Sequence, residues 1–420
     1  MAKKLSFVHA VAVGLGNIIG AGIFVMAGSA IDAAGPAALV AFGVTAVLAI
    51  TVGLNTAELS SRFPSLQGGV YSFARATMGD TMGFLVGWFR LVAYAVSGAA
   101  VALGFSSYLV GIGLPSVVYY PAAAALILAL TAVEARGIRL ASEMEVGLVI
   151  VKIVGIAVFL AAVLFLAGFS QGNFVPLFPT GAVGVLVAAN IAFFAYSGFN
   201  TIATLTPDVE DGEKTVPRAI IASIAISTVL YVLVVFALLL ALNWTAYGAA
   251  PDPLSVALKS LKAPAGVSLA VSVAALAATF AVTLSMIIAG ARTAKQMGED
   301  ALLPRWLGRG SKVPAVVVAV VMVASLGLGS VESIALVANF GIIFSYLLTG
   351  LQVAIARRSQ PAPKFSSPGY PSVQALSVVL SGAMLLGLGT QSLLLGALTL
   401  FGGLVVHSLF THLGAGRGRR

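Results

Sequence analysis

Gly14-Leu15-Gly16-Asn17-Ile18-Ile19-Gly20-Ala21-Gly22-Ile23-Phe24 lies in the middle of the first apolar run of the chain. Apolar residues continue on both sides of it, but Gly20, Ala21 and Gly22 interrupt the run with small side chains. A glycine inside a helix costs about 1 kcal/mol relative to alanine. Two readings follow. Small residues let a neighbouring helix approach closely. Alternatively the helix unwinds there and restarts near Phe24, leaving free amides from Ala21 to Phe24. A helix N-terminus of that kind attracts a carboxylate.

A second interruption favours the unwound reading. Ala192-Phe193-Phe194-Ala195-Tyr196-Ser197-Gly198-Phe199-Asn200-Thr201 places Ser-Gly inside an aromatic run, five apolar segments later. Paired interruptions at corresponding positions of two halves point to a transporter built from inverted repeats, with its substrate at the membrane midplane.

The surrounding sequence supplies the membrane. Of 420 residues, 60% are hydrophobic and 9% charged, with mean hydropathy +1.06. A soluble domain carries about 25% charge, so these charges cannot cover a water-facing surface. The same figures exclude disorder, which needs low hydrophobicity. The net charge of +9 gathers into no soluble basic patch, so no nucleic-acid partner is expected. Twelve spans of roughly 20 apolar residues can be placed, at about 8–32, 37–61, 82–111, 115–134, 144–169, 183–206, 217–242, 265–295, 314–329, 332–356, 372–389 and 391–411. Continuous runs of this length argue for helices rather than a barrel, giving an all-α integral membrane protein. With both termini in the cytoplasm, 19 of the 23 Lys and Arg fall inside and only Lys259 and Lys262 outside, as the positive-inside rule requires. The segment 64–80 is too polar to cross and reads as a short interfacial helix. The first span follows Lys3 and Lys4 with no cleavage site, and is expected to be retained.

Catalysis and metals find little support. There is no cysteine, which removes thiol nucleophiles, thiolate metal sites and disulfides. His9, His407 and His412 lie near the chain ends. No enzyme, metal or cofactor is expected.

Two basic residues fall within spans. Lys152, in Val149-Ile150-Val151-Lys152-Ile153-Val154, lies nine residues beyond Glu143. At 1.5 Å per residue it is about 13 Å deep, near the centre of a ~30 Å core. An ionisable residue there is a functional hypothesis by default. No acidic residue shares its depth, so carbonyls freed where span 1 unwinds are its expected partners. It either titrates, serving as a coupling cation, or ties span 5 to span 1 as a permanent ammonium. Arg90 is expected to snorkel to the cytoplasmic interface, and Glu58 to form an ordinary pair with Arg62 one turn on.

These residues together resemble the amino acid–polyamine–organocation superfamily, in its branch of cationic-type and proton-coupled amino acid permeases. Residues 14–24 look like its first-helix signature, and Ala57-Glu58-Leu59-Ser60-Ser61-Arg62-Phe63-Pro64 like its second-helix ending. Phe193 to Phe199, Thr201-Ile202-Ala203-Thr204 and Val216-Pro217-Arg218-Ala219-Ile220 resemble its sixth-helix block. Arg292 with Glu299-Asp300-Ala301-Leu302-Leu303-Pro304 is similar to its loop after helix 8. The match runs over about 5–358.

The resemblance implies a leucine-transporter-type fold in one transporter domain: inverted five-helix repeats at about 8–169 and 183–356, plus two extra helices at about 372–411. It implies that amides of Ala21, Gly22 and Ile23, beside Gly20, bind a substrate carboxylate. Carbonyls near Ile18, Ile19, Phe194, Ala195 and Ser197, beside Gly198, would bind the amine. It implies that Lys152 replaces a coupling ion, with Thr283 and Ser285 on helix 8 as its neighbours. Tyr94, Phe194, Phe199 and Asn200 are possible pocket lining. The chain departs from relatives in having Asn200 where many are acidic, Pro207-Asp208 for Glu-Glu, and Ala93 for a Glu. A charged substrate side chain at the midplane would want a paired carboxylate. Small or medium neutral L-amino acids therefore fit better than cationic ones. The expectation is a proton symporter of such amino acids in a cell membrane; the alternative is an exchanger of amino acids or amines with Lys152 structural. A substrate sensor would need a signalling domain, for which residues 414–420 look too short.

Overall fold

The computed structural model describes residues 4–66, 69–136, 142–203, 205–248, 250–310 and 312–415. It is 84% helical, and among the described residues the sole β feature is an isolated bridge between Leu5 and Val209. The helices are α1 Phe7–Ile18, α2 Ala21–Ala34, α3 Ala38–Arg62, α4 Val70–Met78, α5 Asp80–Gly111, α6 Tyr119–Ala135, α7 Ser142–Leu166, α8 Gly181–Tyr196, α9 Asn200–Ala203, α10 Gly212–Ala241, α11 Pro253–Ser260, α12 Ala265–Glu299, α13 Lys312–Ser325, α14 Val331–Ser359, α15 Ser372–Leu386 and α16 Thr390–Ala415.

Each of the twelve apolar segments falls on a helix or an interrupted pair. Nine stretches are long and apolar enough to cross a bilayer among the described residues, and α1, α15 and the run Lys312–Leu328 are shorter apolar helices. The 41-residue run Gly22–Arg62 is two helices rather than one. It reverses at Gly35, whose φ of +62° is open to glycine and strained for other residues, followed by Pro36 in a 3-10 turn. Large apolar side chains point outward, Phe165 at 89% exposure among them, as lipid contact demands. The polar segment 64–80 does contain a short helix, α4, while the amphipathic α11 was not foreseen.

Packing falls into groups. α1, α3 and α10 pack together, and α2 and α3 pack on α8. α5 packs on α12, α13 and α6. α7 touches both groups, meeting α1 and α12. α14 packs on α5, α3 and α15.

The interrupted helices cross at their interruptions, and glycine permits it. A Cβ on Gly22 would run into the backbone of Ala195, and one on Gly198 into the backbone of Asn17 and Ile18. At the opposite end of α1 from the crossing, Leu5 and Val209 join the chain entering α1 to the chain leaving α9 through Leu5 N–H to Asp208 O (3.0 Å) and Glu210 N–H to Leu5 O (2.9 Å).

Glu58 corrects the expectation of an ordinary surface pair. Its side chain is fully buried and accepts from Arg62, from Arg357 through both oxygens (2.9 and 2.7 Å), and from the Ser367 amide (2.9 Å). One carboxylate therefore joins the ends of α3 and α14 to the loop leading into α15. The sequence signal was local, one turn from Glu58 to Arg62; Arg357 arrives from 299 residues away.

Two outcomes follow. Glu58→Gln strips the counter-charge from two buried or half-buried guanidiniums and costs about 3–5 kcal/mol, read as a lowered thermal midpoint of the purified protein; an unchanged midpoint would contradict the hub. Gly198→Ala forces the helix crossing apart at a cost of about 1–3 kcal/mol. Gly43→Ala on α3, with no atom near its added methyl, leaves the midpoint unchanged or raises it. Equal effects of the two glycine substitutions would show that the crossing is not close-packed.

Candidate functional site

α1 stops because its backbone turns extended. Ile19 has φ −74° and ψ 86°, Gly20 has φ −142° and ψ −146°, and α2 begins at Ala21. The second half thus starts three residues before the expected Phe24. Phe24 N–H lies inside the helical turn, and the amides without an i−4 partner are those of Gly20, Ala21, Gly22 and Ile23. The donors expected at Ala21, Gly22 and Ile23 stand at a helix N-terminus, as the sequence suggested.

The break frees carbonyls as well. In an unbroken helix Gly16 O would accept from Gly20 N–H. Here Lys152 Nζ donates to Gly16 O at 2.6 Å. Lys152 is fully buried, so the side chain reaches from α7 to the last turn of α1 without passing through solvent. The expected partnership with a carbonyl of span 1 is what the geometry contains.

The second interruption differs from a loose unwinding. Tyr196 is followed by a 3-10 turn, Ser197–Phe199, and then by the single-turn α9. The chain tightens, with Ser197 N–H and Ser197 Oγ both donating to Phe194 O. Thr201 Oγ1 donates to Gly198 O at 2.8 Å.

A tyrosine that the sequence reading missed joins the two breaks. Tyr231 of α10 is fully buried and its hydroxyl lies 2.5 Å from Ile18 O and 3.0 Å from Ala195 O. Tyr346 of α14 donates to Ser197 O (3.1 Å), and Tyr108 of α5 to Phe24 O (2.5 Å). Of the carbonyls expected to hold an amine, Phe194 and Ser197 already accept from within the protein, and Ile18 and Ala195 share the single hydrogen of the Tyr231 hydroxyl. Each keeps a second lone pair. A tyrosine in an apolar span carries no periodic signal, and only the fold brings its hydroxyl to a carbonyl.

The remaining predicted residues fall as follows. Ile18, Ile19 and Ile23 are buried, and Gly20 faces Val282 of α12. Phe194 is 6% exposed, while Phe199 is fully buried with its ring 5.4 Å from that of Tyr346. Thr283 is fully buried on α12 and its hydroxyl donates to Thr279 O. Ser285 is half-buried. Two residues apart on a helix means about 200° apart around its axis. Only one of that pair can face Lys152, and burial favours Thr283.

A small cavity of about 20 Å³, room for about one water molecule, lies against the second break, lined by Gly69, Val70, Tyr71, Arg90, Tyr94, Asn200 and Thr293. It contains two of the expected lining residues, Tyr94 and Asn200. It also corrects the reading of Arg90. That side chain is 4% exposed rather than snorkelling. It donates to Tyr94 Oη at 2.6 Å and lies over the rings of Tyr94 and Tyr346, at 4.6 and 5.7 Å. α4 is held beside the cavity by Asp300 at the end of α12, which takes Arg75 (2.6 Å) and Tyr71 (2.7 Å). Burial, then the bond to Asp300, pushes the Tyr71 phenol above its usual range, so it stays a donor at physiological pH.

The amino acid permease family matches residues 9–356. The chain is 29% identical to the branched-chain amino acid permease BcaP of Bacillus subtilis, over 95% of this chain and 90% of that one. It is 30% identical to the methylthioribose transporter of the same organism, over 90% and 86%. It is 32% identical to human cationic amino acid transporter 4, over 58% of this chain and 41% of that one. Broken apolar helices, a multi-span bundle and the family match over most of the chain lead to one conclusion: this protein belongs to the amino acid permease family, a family of membrane transporters.

Proposed function

We propose that the chain is a secondary active transporter of small or medium neutral L-amino acids, working by proton symport and alternating access. One observation carries the reading: two helix interruptions cross beside a fully buried lysine bonded to a carbonyl that the first interruption frees. A zwitterion complements such a place. Its carboxylate takes the amides of Ala21, Gly22 and Ile23 at the positive end of α2. Its ammonium gives its three N–H donors to carbonyls drawn from Ile19 O and the second lone pairs of Ile18, Phe194, Ala195 and Ser197. One relative, a branched-chain amino acid permease, supports a neutral aliphatic side chain. Another relative carries methylthioribose, which is not an amino acid, so the side-chain pocket sets the cargo more than the family does.

Lys152 supplies the coupling in this reading. Protonated, it holds α1 against α7 through Gly16 O, keeping the break in shape for substrate. Deprotonated, it loses its charge-assisted bond, roughly twice as strong as a neutral one. α1 is then freer to move with its neighbour α10 relative to α5 and α12. The proposal includes inverted repeats at about 8–169 and 183–356, both termini in the cytoplasm and residence in the plasma membrane. It also keeps Thr283, rather than Ser285, as the residue of α12 nearest Lys152.

A second reading remains attached to the same bond. A lysine anchored on a backbone carbonyl could serve α1 as a fixed ammonium, and the chain would then exchange amino acids without protons.

Uptake of labelled leucine, valine and alanine into proteoliposomes separates the two. Symport predicts accumulation driven by an inward proton gradient in the wild type. In Lys152→Met, gradient-driven accumulation falls by about 100-fold or more while equilibrium leucine binding stays within about tenfold. Uptake indifferent to the gradient and dependent on amino acid loaded inside would establish the exchanger instead.

A further inference from the structure

Arg90 presents an electrostatic mismatch that the proposed zwitterion site does not use. A guanidinium withdrawn from water is costly unless it is paired. Among the described residues no carboxylate pairs with it. Asp300, which Tyr71 of the cavity wall binds, is already taken by Arg75 and by Tyr71 itself. Glu58 is taken by Arg62 and Arg357. What surrounds Arg90 is the phenol oxygens of Tyr94 and Tyr346 and their ring faces, which ease the charge without neutralising it.

The same cavity contains a second unmatched donor. Asn200 Oδ1 accepts from Thr56 at 3.2 Å, while Asn200 Nδ2 is buried and has no hydrogen-bond partner. Tyr94 Oη accepts from Arg90, which leaves its own hydrogen to give. Guanidinium, amide and phenol thus line one cavity as donors, and the wall offers no free carboxylate in return. Five N–H groups in a planar fork match a carboxylate two at a time.

We propose that Arg90, Tyr94 and Asn200 form a second carboxylate site, beside the second interruption on the side where α4 lies. This rests on the reading that the chain carries amino acids, and it refines the substrate class. A fixed uncompensated cation beside the path repels cationic substrates and favours zwitterions or anions. The carboxylate has two sources. It is the substrate's own α-carboxylate, handed from the amides of α2 to Arg90 on the way out, or it is the side chain of an acidic amino acid.

The test uses the full chain, reconstituted, as wild type, Arg90→Gln, Arg90→Lys and Asn200→Asp. Leucine uptake and equilibrium binding are measured with glutamate and glutamine as competitors. Passage of the α-carboxylate predicts that Arg90→Gln lowers the leucine Vmax by about tenfold or more with KM and Kd within about twofold, Arg90→Lys recovering part of the loss. Occupancy by an acidic side chain predicts that glutamate outcompetes glutamine by about tenfold in the wild type, and that Arg90→Gln abolishes the preference. Either result supports the site and identifies its source. Asn200→Asp covers the case in which Arg90→Gln does not fold. It supplies the missing acceptor from within the chain, so its thermal midpoint rises above wild type while the carboxylate-dependent property is lost. Wild-type Vmax and wild-type preference in folded Arg90→Gln would overturn the proposal, as would an Asn200→Asp midpoint at or below wild type. If the wild type neither binds nor moves any amino acid, the transporter reading fails by itself, and the Asn200→Asp midpoint still decides whether Arg90 lacks a counter-charge.

Discussion

A backbone amide or carbonyl in hydrocarbon must find a partner inside the protein, because there is no water to supply one. Every other feature around the two interrupted helices answers that constraint. α1 ends at Ile18 and α2 begins at Ala21, so a short stretch of backbone gives up its own ladder in the middle of an apolar run. Carbonyls are left on one side of the gap and amides on the other.

The protein meets the carbonyl half of this demand itself. Lys152 reaches Gly16 O from α7, and Tyr231 sits between Ile18 O and Ala195 O from α10. Gly22 and Gly198 let the two breaks touch, so one tyrosine serves both. Among the described residues no side chain accepts from the amides at the start of α2, which is why the proposal gives them a carboxylate. The same logic explains the neighbouring cavity. Glu58 and Asp300 have their cations, whereas Arg90 has phenols and rings, so it too is short of an acceptor. Acidic groups are scarce in this chain, 14 in 420 residues, and those near the site are spent holding helices together.

How much of this was legible depended on the range of the signal. Apolar run length is a property of the linear chain, and the helices follow it closely. Gly20 and Gly22 mark a break because glycine weakens a helix wherever it stands. Its residue-level shape was not legible: α2 restarts at Ala21 rather than near Phe24, and the Ser-Gly interruption of the second run takes the form of a 3-10 turn, Ser197–Phe199. Lys152 stood out as a charge at membrane depth, and its carbonyl partner was inferred by elimination. Arg90 was misread because a long side chain near a helix end snorkels as readily as it buries, and only Tyr94, Tyr346 and α4 enclosing it decide which. Tyr231 and Arg357 gave no signal at all, since their partners lie 213 and 299 residues away.

The central claim is that unmatched backbone at the break of the first helix recognises both charged ends of an amino acid. The most direct measurement is calorimetric binding to the purified protein of leucine, leucinamide and 4-methylpentanoate, which share a side chain and lack in turn the carboxylate and the ammonium. The account predicts that leucine binds and that each analogue binds about 100-fold more weakly or not at all, since losing a charged partner costs roughly 2–3 kcal/mol. Binding of either analogue within about threefold of leucine would contradict it, because the backbone at the break would then be recognising only one end of the molecule or neither.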